Sequence, residues 1–192
     1  MFMSLSRLID GANEKIAGLV SYALLAAVII CAANALIRYA LNYSSNAWLE
    51  VQWYLFGAVF LLAAAHTLKR DEHVRVDVVV GRFSKRTQVC IDLFGFIFFL
   101  LPVCGLILWY AIPFAQLSLQ SAEMSSNAGG LIVWPAKLLV PIGFAMLVLQ
   151  GVSEIIKRIA YLTGRSDGRE FAKQITTPED EIAAIKSANH LD

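Results

Sequence analysis

The chain has 192 residues, of which 58% are hydrophobic and 16% charged, with a mean hydropathy of +0.62. Soluble domains sit nearer roughly 45–50% apolar and about 25% charged, so this composition belongs to a membrane protein. No face is long enough or basic enough to suggest nucleic acid as a partner, on which the net charge of +1 says nothing, and the odd set Cys31, Cys90 and Cys104 in or beside apolar runs reads as small buried apolar residues rather than a disulfide or metal set.

Residues 1–15 carry Phe2, Leu5, Leu8 and Ile9 at helical spacing, an amphipathic lead-in that either lies along the membrane surface or is solvated. No residue from Ile16 to Ile37 is charged, which supplies a first span over about 16–38. Ala33-Asn34-Ala35 resembles a signal cleavage site, but the apolar run exceeds the roughly 7–15 residues of a signal peptide. The loop LNYSSNAW follows, with Tyr39, Tyr43, Trp48, Trp53 and Tyr54 forming an interfacial aromatic cluster. A second span over about 48–68 holds no formal charge between Glu50 and Lys69.

Lys69, Arg70, Arg75, Arg82, Lys85 and Arg86 make the next segment basic, and Val76, Val79, Val80 and Phe83 share one helical face within it. This predicts an amphipathic surface helix over about 76–87, favoured over a strand because an unpaired strand beside lipid leaves its backbone unsatisfied. The uncharged stretch between Asp92 and Glu123 contains Pro102 and Pro113 and predicts a tilted or kinked third span over about 91–117. SAEMSSNAGG then breaks the pattern, Trp134-Pro135 anchors an interface, and a fourth span covers about 136–156. The expected organisation is a four-helix membrane domain over 1–162 and a polar tail over 163–192, with a helix start at Thr177-Pro178-Glu179.

The fold class is therefore an all-α membrane protein with four transmembrane helices and amphipathic interfacial helices. Four spans put both termini on one side, and all Lys and Arg residues except Arg38 and Lys137 fall on that side. By the positive-inside rule the termini and the central loop are cytoplasmic.

The span centres lack Asp, Glu, Lys, Arg and His, residues that persist at mid-membrane mainly for function. Nor do paired broken helices suggest a midplane substrate site. A haem protein needs histidines well inside the spans, and only His66 lies near one, at its end. No nucleophile elbow, phosphate loop or zinc-protease motif is present, so no catalytic, metal, cofactor or substrate-binding residue is expected, and the chain reads as a non-enzymatic partner subunit. The polar groups left are candidates for partner or structural contacts. Arg38 and Glu50 flank the first loop and are placed to pair; Asn34 and Gln52 lie inside spans and are placed to bond across helices. Trp48 and Trp134 are interfacial anchors. Arg75 and Asp77, beside His73, pair with each other or with a neighbour, or belong to an ordinary solvated loop.

The segments Ser44-Ser45-Asn46-Ala47-Trp48-Leu49-Glu50, Thr67-Leu68-Lys69-Arg70 into His73-Val74-Arg75-Val76-Asp77, and Gly129-Gly130-Leu131-Ile132-Val133-Trp134-Pro135-Ala136-Lys137 carry a resemblance. Over about residues 10–160 the chain resembles the small membrane subunit, DctQ-like, of a tripartite ATP-independent periplasmic (TRAP) transporter. Many members carry two adjacent acids at the start of helix two; here Val51 follows Glu50. The resemblance implies a multi-pass subunit of the bacterial inner membrane that scaffolds a large permease. Sodium symport of an organic acid, delivered by a periplasmic binding protein, would run through that permease. It also implies membrane lipids as neighbours and a bracing role for His73, Arg75 and Asp77. Two other readings are a membrane anchor subunit of a respiratory oxidoreductase and a small oligomeric transporter. Helices one and two, with Asn34, Arg38, Glu50 and Gln52, are the expected partner face.

Overall fold

The computed structural model describes residues 2–43, 45–70 and 82–165. Four helices in it are long and apolar enough to cross a membrane. They are α1 (Phe2–Leu41), α2 (Asn46–Arg70), α3 (Lys85–Gln120) and α4 (Trp134–Leu162). Among the described residues there is no strand, only an isolated antiparallel bridge between Met124 and Ile132.

Each helix outruns its expected span. The largest difference is α1, a single helix of 40 residues. At 1.5 Å per residue it is about 60 Å long, against roughly 30 Å of hydrocarbon. The lead-in is thus not a separate element: it continues the helix of the span without a break. The cause lies in its polar residues, since Ser6, Asp10 and Asn13 fall on one helical face and bond to α4.

The surface helix expected over 76–87 lies mostly outside the described residues. Where it is described, Arg82, Phe83 and Ser84 are not helical, and Lys85 and Arg86 open α3. Ser84 explains the break. Its backbone is extended, with φ −60° and ψ 151°, and its hydroxyl accepts the Thr87 N–H as an N-cap. Within α3, Phe96–Leu100 form one π turn, closed by the Leu101 N–H donating to the Phe96 carbonyl. Pro102 follows directly; its missing N–H and its ring favour this wider turn over an ordinary one. Pro113 sits inside α3, which runs on to Gln120.

α4 is the hub. It packs against α1, α2 and α3, and α1 also packs along α2. Two glycines of α4 set the closest approaches. A Cβ on Gly143 would stand 2.8 Å from Leu61 Cβ and 2.9 Å from the Leu61 carbonyl oxygen, so α2 and α4 touch backbone to side chain there. A Cβ on Gly151 would meet the Leu100 Cδ2 methyl at 2.6 Å and, in ordinary contact, the Leu101 Cδ2 methyl at 3.5 Å. The first obstacle is backbone and the second the tip of a mobile side chain. Gly143→Ala is therefore expected to cost about 1–3 kcal/mol and Gly151→Ala distinctly less. Thermal unfolding in mild detergent compares the two; equal losses would contradict the backbone contact.

Large apolar side chains such as Leu19, Leu25, Phe60, Phe98 and Trp109 are exposed along the helices, as lipid-facing surfaces require. Cys104 is buried as expected, but Cys31 and Cys90 are exposed.

Candidate functional site

The polar side chains of the spans gather at the two ends of the bundle. At one end, α2 presents Asn46, Glu50 and Tyr54, four residues apart on one face. All three bind the connection between α3 and α4. Asn46 Nδ2 donates to the Ala128 carbonyl at 2.9 Å, and the Tyr54 hydroxyl donates to the Ile132 carbonyl at 3.0 Å. Between them the Glu50 carboxylate accepts from the Ser125 hydroxyl, from Asn127 Nδ2 at 2.8 Å and from the Leu131 N–H at 2.6 Å. Three donors therefore converge on two oxygens of a buried carboxylate.

The connection folds into a small hairpin to make this possible. Ser125 N–H donates to the Leu131 carbonyl at 2.9 Å and Val133 N–H to the Glu123 carbonyl at 2.9 Å. Gly129 turns the chain with φ +70°, a left-handed conformation favourable to glycine. Gly130 has no room for a side chain, because a Cβ would lie 2.6 Å from Ser125 Cβ and 2.8 Å from Glu50 Oε1. At the hairpin's foot Lys137 Nζ donates to Glu123 at 2.5 Å and stands 4.3 Å from the Phe114 ring centroid. The Lys137 ammonium holds the Glu123 carboxyl below its ordinary value. With the folded value lowered, the pair's contribution is present above the ordinary carboxylate range and is lost as pH falls through the lowered value.

The Arg38–Glu50 pair expected from the sequence does not form. Glu50 is committed to the hairpin, and Arg38 makes no ion pair among the described residues.

At the opposite end, α1 and α4 face each other through two polar stripes. Asn13 Nδ2 donates to Gln150 Oε1 at 2.6 Å, and Gln150 Nε2 donates to Asp10 at 2.9 Å and Glu154 at 3.0 Å. The Ser153 hydroxyl donates to Asp10 at 3.0 Å, and the Ser6 and Ser153 hydroxyls are 2.7 Å apart. Lys157 bridges Asp10, at 3.2 Å, and Glu154. Arg158 bonds Glu154 at 2.6 Å and Asp92 of α3 at 3.1 Å, with its guanidinium 4.6 Å from the Phe96 ring centroid. Glu154 and Arg158 are 0% and 1% exposed. From α2, Lys69 Nζ donates to the Asp10 carbonyl and to Glu14 at 3.1 Å, and His66 lies within electrostatic reach of Glu14. The network thus ties all four helices together. Its acids are all hydrogen-bonded to neighbours, so the buried charges are paired and tie one helix to another. Sequence reasoning missed it, although Ser6, Asp10 and Asn13 at helical spacing, with Gln150, Ser153, Glu154 and Lys157, were the available signal.

A third feature lies between α1 and α2 at the Glu50 end. Cys31, Asn34, Ala35, Arg38, Leu49 and Gln52 line a cleft of about 600 Å³. Asn34 and Gln52 do not bond across the helices as expected. Gln52 is buried, and its Nε2 has no hydrogen-bond partner. An unpaired buried amide costs roughly 1–3 kcal/mol, so the cleft offers an unfilled donor.

Of the other predicted residues, Trp48 is exposed near the start of α2. Trp134 opens α4 and lines an apolar groove of about 420 Å³ with Ile112, Leu138 and Pro141. His73, Arg75 and Asp77 lie outside the described residues. The structure thus groups Asn34, Arg38 and Gln52 and separates Glu50 from them. Among the described residues no three His, Cys, Asp or Glu side chains are grouped to hold a metal ion.

No curated protein matches the chain. The family model described as the DctQ component of tripartite ATP-independent periplasmic transporters matches residues 19–160, from within α1 to near the end of α4. That match takes in the α2 stripe, the hairpin it grips and the α4 stripe, but not Ser6, Asp10 and Asn13 of α1, and it covers well over half the sequence. The chain belongs to the DctQ family of TRAP transporter components.

Proposed function

We propose that this chain is the scaffold subunit of its transporter: it binds the large permease subunit and holds the stationary part of that permease in the membrane. One observation carries the proposal. The polar side chains of the spans gather at the two ends of the bundle, where they tie helix to helix, and the long stretches between them are apolar. A helix bundle built this way is a frame, and a frame serves transport by resisting movement in its neighbour. On this reading the substrate and sodium sites belong to the permease, and a periplasmic binding protein delivers the organic acid to it.

The same reading sets the orientation. Positively charged loops stay inside, so the Lys157 end faces the cytoplasm of a bacterial inner membrane and the Glu50 hairpin faces the periplasm. His73, Arg75 and Asp77 then belong to a cytoplasmic loop that braces the complex.

Affinity tagging and gentle solubilisation test the proposal. A much larger polytopic membrane protein is expected to co-purify, and vesicles containing this chain alone are expected to take up no organic acid. Isolation of the chain by itself in several mild detergents, or uptake by it alone, would overturn the scaffold reading.

A further inference from the structure

We propose that the cleft between α1 and α2 is a binding site for one glycerophospholipid, anionic in preference, from the leaflet at the Glu50 end. The argument begins with the donors. Arg38 brings a permanent cation to the rim and makes no ion pair among the described residues. Gln52 lines the same cleft, is 6% exposed, and carries an Nε2 with no hydrogen-bond partner. Asn34 adds a second amide. No acid lines the cleft: Glu50, two residues before Gln52, turns its carboxylate onto the hairpin. The site therefore asks for a ligand rich in acceptors and bearing negative charge.

Depth supplies the rest. Arg38 stands three residues from the end of α1, about 5 Å, and Gln52 six residues into α2, about 9 Å. Cys31 lies ten residues from the end of α1, about 15 Å, which is half of a roughly 30 Å hydrocarbon core. The cleft is thus one leaflet deep, cationic at the rim, amide-lined below, and apolar at Cys31, Ala35 and Leu49. A phospholipid has that sequence of chemistry along its length. Its phosphate meets Arg38, a glycerol ester carbonyl accepts from Gln52 Nε2, and an acyl chain runs down along Ala35 and Cys31. A single side chain from a neighbouring helix would satisfy one donor and leave most of about 600 Å³ unfilled.

The test uses the full-length chain, stripped of lipid in mild detergent and titrated with phosphatidylglycerol, phosphatidylcholine or inorganic phosphate, with binding read by native mass spectrometry. One phosphatidylglycerol per chain is expected, held more tightly than phosphatidylcholine. Arg38→Ala and Gln52→Leu are each expected to weaken it about tenfold, as loss of a charge-assisted or buried hydrogen bond does. Leu36→Ala, on an exposed face of α1, should leave it unchanged. Gln52→Glu turns a carboxylate, with no N–H to donate, toward the ester carbonyl and adds negative charge below the phosphate, so it should abolish retention; a thermal melt shows that the variant is folded. Equal retention by all variants overturns the proposal. So does saturation by inorganic phosphate alone, which would indicate a simple anion site. If Arg38→Ala keeps the lipid but loses a co-purifying permease, the cleft is a protein contact instead.

Discussion

Glu154→Ala is expected to lower stability by roughly 3–5 kcal/mol, because it strands two buried cations that share that carboxylate. For a chain of this size the loss corresponds to a fall of roughly 6–20 °C in Tm, measured as thermal unfolding in detergent. The size of the effect follows from burial. Lys157 and Arg158 keep Asp10 and Asp92 as second partners, but their side chains are 3% and 1% exposed and water cannot replace what is lost. Glu154→Gln keeps one acceptor for Arg158 and should fall between the wild type and alanine. The double variant Glu154→Ala with Arg158→Ala removes an acid and a base together, so its cost should be well below the sum of the single costs. Additive losses would mean that the two side chains do not act as a unit.

Glu50→Ala is expected to free the hairpin from α2. Three hydrogen bonds to one carboxylate disappear at once, and the donors at Ser125 and Leu131 lose a charged partner. The loss falls short of three full charge-assisted bonds, because the exposed Asn127 side chain turns to water instead. Hydrogen exchange gives the sharper readout. The Leu131 N–H should exchange at least about tenfold faster, while amides in the middle of α4 are unaffected. Glu50→Gln should fall between the wild type and alanine, because its amide oxygen can keep Ser125 and Asn127, which share one carboxylate oxygen, while its NH2 is turned toward the Leu131 N–H. Gly130→Ala should give the same exchange signature by a different route, since the added methyl occupies the space of Glu50 Oε1. An unchanged Leu131 amide in Glu50→Ala would show that the hairpin holds itself together.

Much of this architecture was readable from the sequence, and the parts that were not share one cause. Runs without charge mark four spans because hydrocarbon tolerates little else, and each of the four expected spans lies inside one of the four helices. Glu50 and Gln52 stood out as polar groups within an apolar span. Their partners did not, since partners are set by tertiary packing: the Leu131 amide lies 81 residues from Glu50, and Ser153 lies 143 residues from Asp10. Arg38 is near Glu50 in sequence and opposite in charge, which made the pair attractive on local grounds. The hairpin wins Glu50 because backbone and side-chain donors there are already ordered around it. The α1 lead-in misled for a related reason. Its apolar residues suggest an interfacial helix, but the opposite face, Ser6, Asp10 and Asn13, decides its course once α4 is present.

The central place of α4 bears on how the protein is made. Ribosomal synthesis delivers α1, α2 and α3 to the membrane before α4 exists, yet α4 is the helix that the others pack against. Until it arrives, Asp10 has no Lys157 to meet, and the hairpin that Glu50 grips has no second leg. α1 and α2 can pair along their length beforehand, but the polar network that joins all four helices is completed only by α4. The closing step of assembly belongs to the last span.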